Sequence, residues 1–142
     1  MKRLAKFLSL EPRKKRFYFG AFLLLVFINF SLKCFSFDRT RRFLNWAAKA
    51  LRRPPSGRGN FAVEIGMAVS AAARQPFARA SCLTQSLAAL FLLNCRGEPF
   101  DFRFGAIKGD DGRLQAHAWV ESRGKIVVGE HGASFTRLED LK

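Results

Sequence analysis

Long apolar segments dominate the first two thirds of the chain, and short segments of alternating apolar and polar residues dominate the last third. Residues 17–32 contain no charged side chain, and Pro12 precedes them at a position that suits the first turn of a helix. We therefore predict a helix over about residues 11–33.

Two further helices are predicted on either side of a break. The first is a basic amphipathic helix with Asp38 as its N-cap, ending near residue 51. Residues 54–59, rich in Pro and Gly, interrupt the helical pattern and form the best candidate for a linker. Asn60 then suits the N-cap of an Ala-rich helix over about residues 61–74.

The pattern changes from helices to strands after a fourth helix. Ser81 is its predicted N-cap, and the helix is apolar most of the way round until Gly97, which is typical of a buried central helix. Residues 100–104 alternate with a period of two and predict a strand. Residues 114–121 and 125–130, joined around Arg123 and Gly124, are two further predicted strands, and the three form an antiparallel meander. The predicted fold class is α+β, with a central helix packed on a small antiparallel sheet and basic, apolar helices before it.

Charge divides the 142 residues unevenly, although the chain is long enough for only one core. Residues 1–60 hold 15 Lys and Arg against 2 acidic residues, and residues 61–142 hold 10 against 9, so the net charges are +13 and +1. We predict a basic helical region over residues 1–59 and a nearly neutral domain over residues 60–142. The basic region suits polyanions or anionic lipid, but nucleic acid is not predicted, since no nucleic-acid-binding motif is present.

The uncharged segment 17–32 has three interpretations. Its sixteen residues would cover about 24 Å as a helix, less than the roughly 30 Å of a bilayer core. The interpretations are a core helix, a helix lying on a membrane surface and a single membrane span, and we favour the first two together. No small-residue cleavage site follows the segment, so we do not expect secretion. We expect a cytoplasmic protein with membrane-surface contact as one option.

The three cysteines are predicted to be free thiols in a reducing compartment. Cys82 and Cys95 fall thirteen residues apart in one predicted helix, about 20 Å, which is beyond the reach of a disulfide. Cys34 and Cys95 lie within apolar segments and are predicted to be ordinary buried packing residues.

Cys82 and His117 are the residues that suggest an enzyme. A thiol in the first turn of a helix lies among unpaired backbone N–H groups and the positive end of the helix dipole, both of which favour the thiolate. An imidazole within reach would complete a nucleophile and its base. The alternative is that Cys82 is a packing residue and His117 an ordinary strand histidine.

Strand register tests Glu130 as a third member. If Arg123 and Gly124 form a two-residue hairpin loop and the register stays constant, His117 faces Glu130 across the strands, so the carboxylate would hold the imidazole N–H. A three-residue loop would pair His117 with Gly129 instead.

The segments SCLTQSLA at residues 81–88, RG at 96–97 and AHAWVE at 116–121 resemble the transglutaminase-like cysteine peptidases that remove leader peptides in lasso-peptide biosynthesis. The resemblance covers about residues 60–140. It implies a papain-like arrangement, with Cys82 as nucleophile and His117 as base. The family commonly has Asp near the end of the next strand, where this chain has Gly129 and Glu130.

The resemblance leaves the third catalytic position with several candidates. Glu130 is the predicted residue, while Asp140, Glu121 or a dyad without a third member are the alternatives. The implied substrate is a ribosomally made precursor peptide, and the implied partners are a separate leader-recognition protein and a lasso cyclase. No cofactor and no metal are predicted. The rival functions are a non-enzymatic, membrane-associated binding protein and a transglutaminase-like acyl transferase.

Overall fold

A computed structural model describes residues 12–54, 61–78, 80–108, 112–129 and 136–137. Within these ranges the helices are α1 (Pro12–Cys34), α2 (Phe37–Ala50), α3 (Phe61–Ala73) and α4 (Cys82–Cys95). The strands are β1 (Asp101–Lys108), β2 (Leu114–Ser122), β3 (Lys125–Val128) and β4 (Thr136–Arg137).

The strands form one antiparallel sheet in the order β3-β2-β1-β4, which confirms the predicted α+β class. β1 continues to Lys108, four residues beyond the alternating pattern that predicted it. β4 was not predicted because it contains only two residues, too few for a period of two to be recognised.

Helix α4 lies at the centre of the molecule, as its apolar sequence predicts. It packs against α1, α2, α3, β2 and β3, and its inward residues are almost completely buried. One core cluster joins residues from all four helices and from β2 and β3: Ala21, Leu25, Ile28, Leu44, Ile65, Ala68, Val69, Leu87, Ala88, Ala89, Leu93, Val120 and Val128. The basic helices α1 and α2 therefore share the core of the later elements.

The helix starts show one correct cap prediction and one wrong one. Ser81 caps α4, because its Oγ accepts a hydrogen bond from the backbone N–H of Thr84 at 3.2 Å. Asp38 does not cap α2: Ser36 occupies the N-cap, and Asp38 lies in the first turn. A carboxylate in that turn still interacts favourably with the helix dipole, which explains why its position resembled a cap.

The β2–β3 hairpin has the predicted two-residue loop. Arg123 and Gly124 have φ values of 51° and 76°, as a type I′ turn requires, and Ser122 pairs with Lys125. The register then shifts by one residue at a bulge, so that Val120 pairs with Val128. The expectation of a constant register up to His117 is therefore wrong, because a bulge inserts an extra residue into one strand.

Helix α1 is only half enclosed. One side, including Ala21, Leu25 and Ile28, lies in the core, while the opposite side is exposed. Cys34 ends the helix on that exposed side, so its predicted burial is wrong. By length and composition α1 is apolar enough to cross a membrane, over Lys14–Cys34.

Some sequence predictions fall outside the described residues. These are most of the candidate linker at 54–59 and the cap residue Asn60. The boundary between residues 59 and 60 stays a prediction.

Candidate active site

Cys82 is the first residue of α4, directly after the capping residue Ser81. Its side chain is half-buried. The backbone N–H groups of Cys82 and Leu83 have no carbonyl acceptor one turn earlier, because they open the helix. The helix start therefore offers a thiol beside two hydrogen-bond donors that point out of the helix, the arrangement that stabilises negative charge on sulfur or on a nearby oxygen.

A polar network fixes the start of α4 to α1. Thr84 donates a hydrogen bond from its hydroxyl to Oδ1 of Asn29 at 2.8 Å, and its Oγ1 lies 3.0 Å from Oγ of Ser81. The Asn29 amide in turn donates to the carbonyl of Ala78. Sequence reasoning missed Asn29 as a site residue. The available signal was a lone amide in an uncharged apolar segment, which needs partners once it is buried.

His117 lies on β2, opposite Gly105 of β1, and its side chain is only 4% exposed. Its Nε2 is 2.7 Å from the carbonyl oxygen of Gly129, just beyond the end of β3. Since a carbonyl only accepts hydrogen bonds, Nε2 is the protonated nitrogen, and the neutral ring carries its lone pair on Nδ1. The ring stacks on Trp119 with centroids 6.1 Å apart and planes 18° apart.

Side-chain alternation separates His117 from the helical layer. Val120 and Val128 face each other and belong to the core cluster that contains α4 residues. Because neighbouring side chains on a strand point to opposite faces, His117 and Trp119 lie on the other face of β2. Among the hydrogen bonds of the described residues, none joins the Cys82 thiol to His117. Helix α4 packs against β2, so the two elements that carry these residues are neighbours in the fold.

The candidates for the third position have different outcomes. Glu130 and Asp140 lie outside the described residues. Glu121 lies on the same face as His117, where its carboxylate accepts a hydrogen bond from Trp119 Nε1 at 2.9 Å and lies 4.0 Å from the Arg103 guanidinium. Within the described residues, the acceptor that holds the imidazole is the main-chain carbonyl of Gly129. A residue-type search could not find it, since every residue has a carbonyl.

Two further polar side chains of α4 are Ser86, near the start of the helix, and Cys95, in its last turn. Ser86 lies one turn after Cys82 on the same side of the helix, and its buried Oγ has no hydrogen-bond partner within the described part of the chain. Cys95 is in the last turn and is half-buried, less than its predicted burial. This burial raises the pKa of its thiol above the ordinary 9.0, and the neighbouring Arg96 charge partly offsets the rise. Cys95 is therefore poorly suited to be a nucleophile at neutral pH.

The described residues contain no group of three or more His, Cys, Asp or Glu side chains arranged to hold a metal ion. The candidate chemistry rests on the thiol at the start of α4, the strand histidine and the carbonyl that holds it.

A helix with a cysteine in its first turn, packed on an antiparallel sheet that carries a histidine, is typical of enzymes that transfer acyl groups through a thiol. The sequence matches the family model of the transglutaminase-like superfamily over residues 23–140. The chain belongs to this superfamily, whose members are typically cysteine peptidases or transferases. The match begins inside α1 and so includes α2. No curated protein and no solved structure matches the chain.

Proposed function

We propose that this protein is a cysteine-type endopeptidase that removes the leader peptide from a ribosomally made lasso-peptide precursor. The observation that carries the proposal is the position of Cys82 as the first residue of a buried helix that Ser81 caps. The chain that carries it belongs to the transglutaminase-like superfamily. The finer assignment, to leader removal, rests on the resemblance of residues 81–88 and 116–121 to lasso leader peptidases.

The proposed reaction transfers the acyl group of the leader to sulfur and then to water. Cys82 Sγ attacks the carbonyl of the scissile peptide bond, and His117 Nδ1 takes the thiol proton. N–H groups at the start of α4 stabilise the oxyanion. The carbon–nitrogen bond then breaks, the core peptide leaves with the proton as a free amine, and a thioester remains. Water hydrolyses the thioester and releases the leader.

This mechanism requires a conformational change in the sheet. His117 lies on the face of β2 away from α4, so productive chemistry requires the β2–β3 end to rearrange and carry the imidazole to the thiol. The Gly129 carbonyl is suited to keep Nε2 protonated, which leaves Nδ1 as the base. Glu130 follows Gly129 directly, and we propose it as the carboxylate that stabilises the imidazolium once it forms.

The implied partners follow from the same resemblance. The substrate is a precursor peptide, and a separate small protein would present its leader. A cyclase would then close the core through its new amino end. We propose that the protein acts in the cytoplasm, where its three unpaired cysteines suit a reducing compartment.

The direct test is the mass of the product after incubation of the full chain with a candidate precursor and its leader-recognition protein. Hydrolysis between leader and core is the expected result. Cys82→Ala should abolish cleavage, and Cys95→Ala, on the same helix, should leave it nearly unchanged. An amine-linked product would assign the chain to the acyl transferases instead.

The histidine assignment has an equally matched control. The chain contains one other histidine, His131. His117→Ala should lower kcat by at least about 10²-fold, while His131→Ala should change it little. The opposite pattern would remove His117 from the site and leave Cys82 in place.

The second candidate is a non-enzymatic, membrane-associated binding protein. The observation that favours it is that His117 lies on the face of β2 opposite to Val120, the core residue that packs with α4. Alkylation separates the candidates in a Cys34→Ser background, which removes the exposed thiol. An enzyme should show rapid modification of Cys82 near neutral pH and slow modification of Cys95. Equally slow modification of both would favour the binding protein.

A further inference from the structure

The outer side of α1 is apolar and open to solvent along the length of the helix. Its exposed residues follow helical spacing on the side opposite to the buried Leu25 and Ile28, and Phe30 is 64% exposed. These outer residues are Phe19, Leu23, Val26, Phe27 and Phe30. A helix on the surface of a globular protein normally turns polar residues to water, so this side is suited to an apolar environment.

The apolar surface continues onto α2. Phe43 lies with its ring centroid 6.0 Å from that of Phe27, and Trp46 lies 6.0 Å from Phe43. Trp46 is 68% exposed. We call the outer residues of α1 together with Phe43 and Trp46 the aromatic face. Its rings come from two helices that pack in one domain, so the surface is contiguous.

Positive charge surrounds the aromatic face. Lys14 and Arg16 are exposed before its first residue on α1, and Lys33 is exposed after its last. Arg42 and Lys49 lie about two turns apart on the solvent side of α2. Asp38 is the only acidic residue in residues 12–54. Aromatic and apolar side chains with a cationic border match the headgroup region of a bilayer that contains anionic lipid.

We propose that the aromatic face binds the surface of an anionic membrane, with α1 lying in the plane of the interface. Spanning is disfavoured because the inner side of α1 belongs to the protein core through Ala21, Leu25 and Ile28. Moving α1 into a bilayer would expose the matching surfaces of α3 and α4. A surface position instead lets the outer side enter lipid while the inner side stays packed, and long Lys and Arg side chains reach the headgroups.

The chain carries its own probe for this contact. Its two tryptophans are Trp46 on the aromatic face and Trp119, which is 2% exposed. The full chain is mixed with vesicles of phosphatidylcholine, with or without phosphatidylglycerol, that have brominated acyl chains. Quenching of tryptophan fluorescence by the anionic vesicles is expected, and added salt should weaken it. In Trp46→Phe the remaining signal from Trp119 should not be quenched.

Matched variants test whether vesicle binding depends on the aromatic face or on any exposed apolar residue. Phe27→Ser with Phe30→Ser should lower binding to anionic vesicles by at least about tenfold. Met67→Ser, on α3 and 60% exposed, should leave it unchanged. Arg42→Gln with Lys49→Gln should weaken binding to anionic vesicles and have little effect on neutral ones.

Three outcomes would overturn the proposal: no quenching by anionic vesicles, equal loss of binding in Met67→Ser, or quenching of Trp119 in the Trp46→Phe variant. Absence of vesicle binding combined with saturable binding to a purified leader-recognition protein would reassign the face to a protein partner. None of these outcomes depends on peptidase activity.

Discussion

The uncharged part of helix α1 and helix α4 are both apolar but have different surroundings. Neither has a clearly polar side, and both supply residues to the same core cluster. Helix α4 is enclosed by three helices and two strands, so its middle is buried all round. Helix α1 is covered on one side only. A helix that is apolar on all sides is therefore not suited to contact with water. Its sequence does not show whether protein or another apolar environment covers it.

The largest expected effect tests the two sides of α1 with one residue type. Leu25 is buried and Leu23 is half exposed, two positions apart on the same helix. Leu25→Ala should lower the free energy of unfolding by about 2–5 kcal/mol, because it leaves a cavity in the core. Leu23→Ala should change it by less than about 0.5 kcal/mol. Chemical denaturation of the two variants measures the difference.

Equal small effects in the two leucine variants would mean that α1 does not contribute to the folded core. The comparison with α4 would then fail, and the helix would be an appendage. Equal large effects would show that the outer side of α1 is covered by protein, for example in a self-associated form.

Two glycines provide the next test. A Cβ at Gly66 of α3 would lie 2.3 Å from the backbone carbonyl oxygen of Val127, whereas a Cβ at Gly20 of α1 would meet nothing within 4 Å. Gly66→Ala should therefore cost about 1–3 kcal/mol, since the strand must move away. Gly20→Ala should stabilise the protein by about 0.5–1 kcal/mol, through reduced backbone entropy in the unfolded chain. Thermal unfolding of both variants gives the signs.

A destabilising Gly20→Ala would indicate close packing on the open side of α1. A neutral Gly66→Ala would show that β3 is not held tightly against α3.

The start of α4 and the β2–β3 turn could be predicted from the sequence because each depends on residues that are adjacent in the chain. Ser81 as a cap and Arg123-Gly124 as a tight turn depend on a few neighbouring residues, and both predictions are confirmed. The exposure of Cys34 and of the outer side of α1 was not predictable, because an apolar residue in a helix gives no direction until its neighbours are known.

The candidate site shows the same limit more strongly. The positions of Cys82 at a helix start and His117 on a strand were predictable from local patterns. The face on which His117 lies depends on which side of β2 the helices cover, and the bulge at Val120 shifts the pairing between β2 and β3 by one residue. Such long-range choices are set by packing, which a single sequence does not display.

Removal of a helix cap should lower the free energy of unfolding by a smaller amount. The cost should differ between the starts of α4 and α2. Ser81→Ala should cost about 1 kcal/mol, because the N–H of Thr84 loses its acceptor. Ser36 occupies the N-cap of α2 without a side-chain hydrogen bond, so Ser36→Ala should cost clearly less. Denaturant midpoints measure both. Equal costs would indicate that α2 is capped by Ser36 in solution.

The smallest expected effect concerns the cysteines that end the two helices. Cys34 ends α1 exposed, and Cys95 ends α4 with its thiol pKa raised above 9.0 by burial, the Arg96 charge acting in the opposite direction. In a Cys82→Ala background, iodoacetamide should modify Cys34 first, and the rate at Cys95 should still rise with pH above 9.0.

The raised pKa of Cys95 also links stability to pH. The folded protein favours the protonated thiol, so this contribution to stability is present below pH 9.0 and is lost as the pH rises through the folded-state value. Arg96→Gln removes the opposing charge and should move the Cys95 profile to still higher pH. A shift to lower pH would mean that Arg96 acts on this thiol through packing, since its guanidinium also lies 4.8 Å over the Phe61 ring.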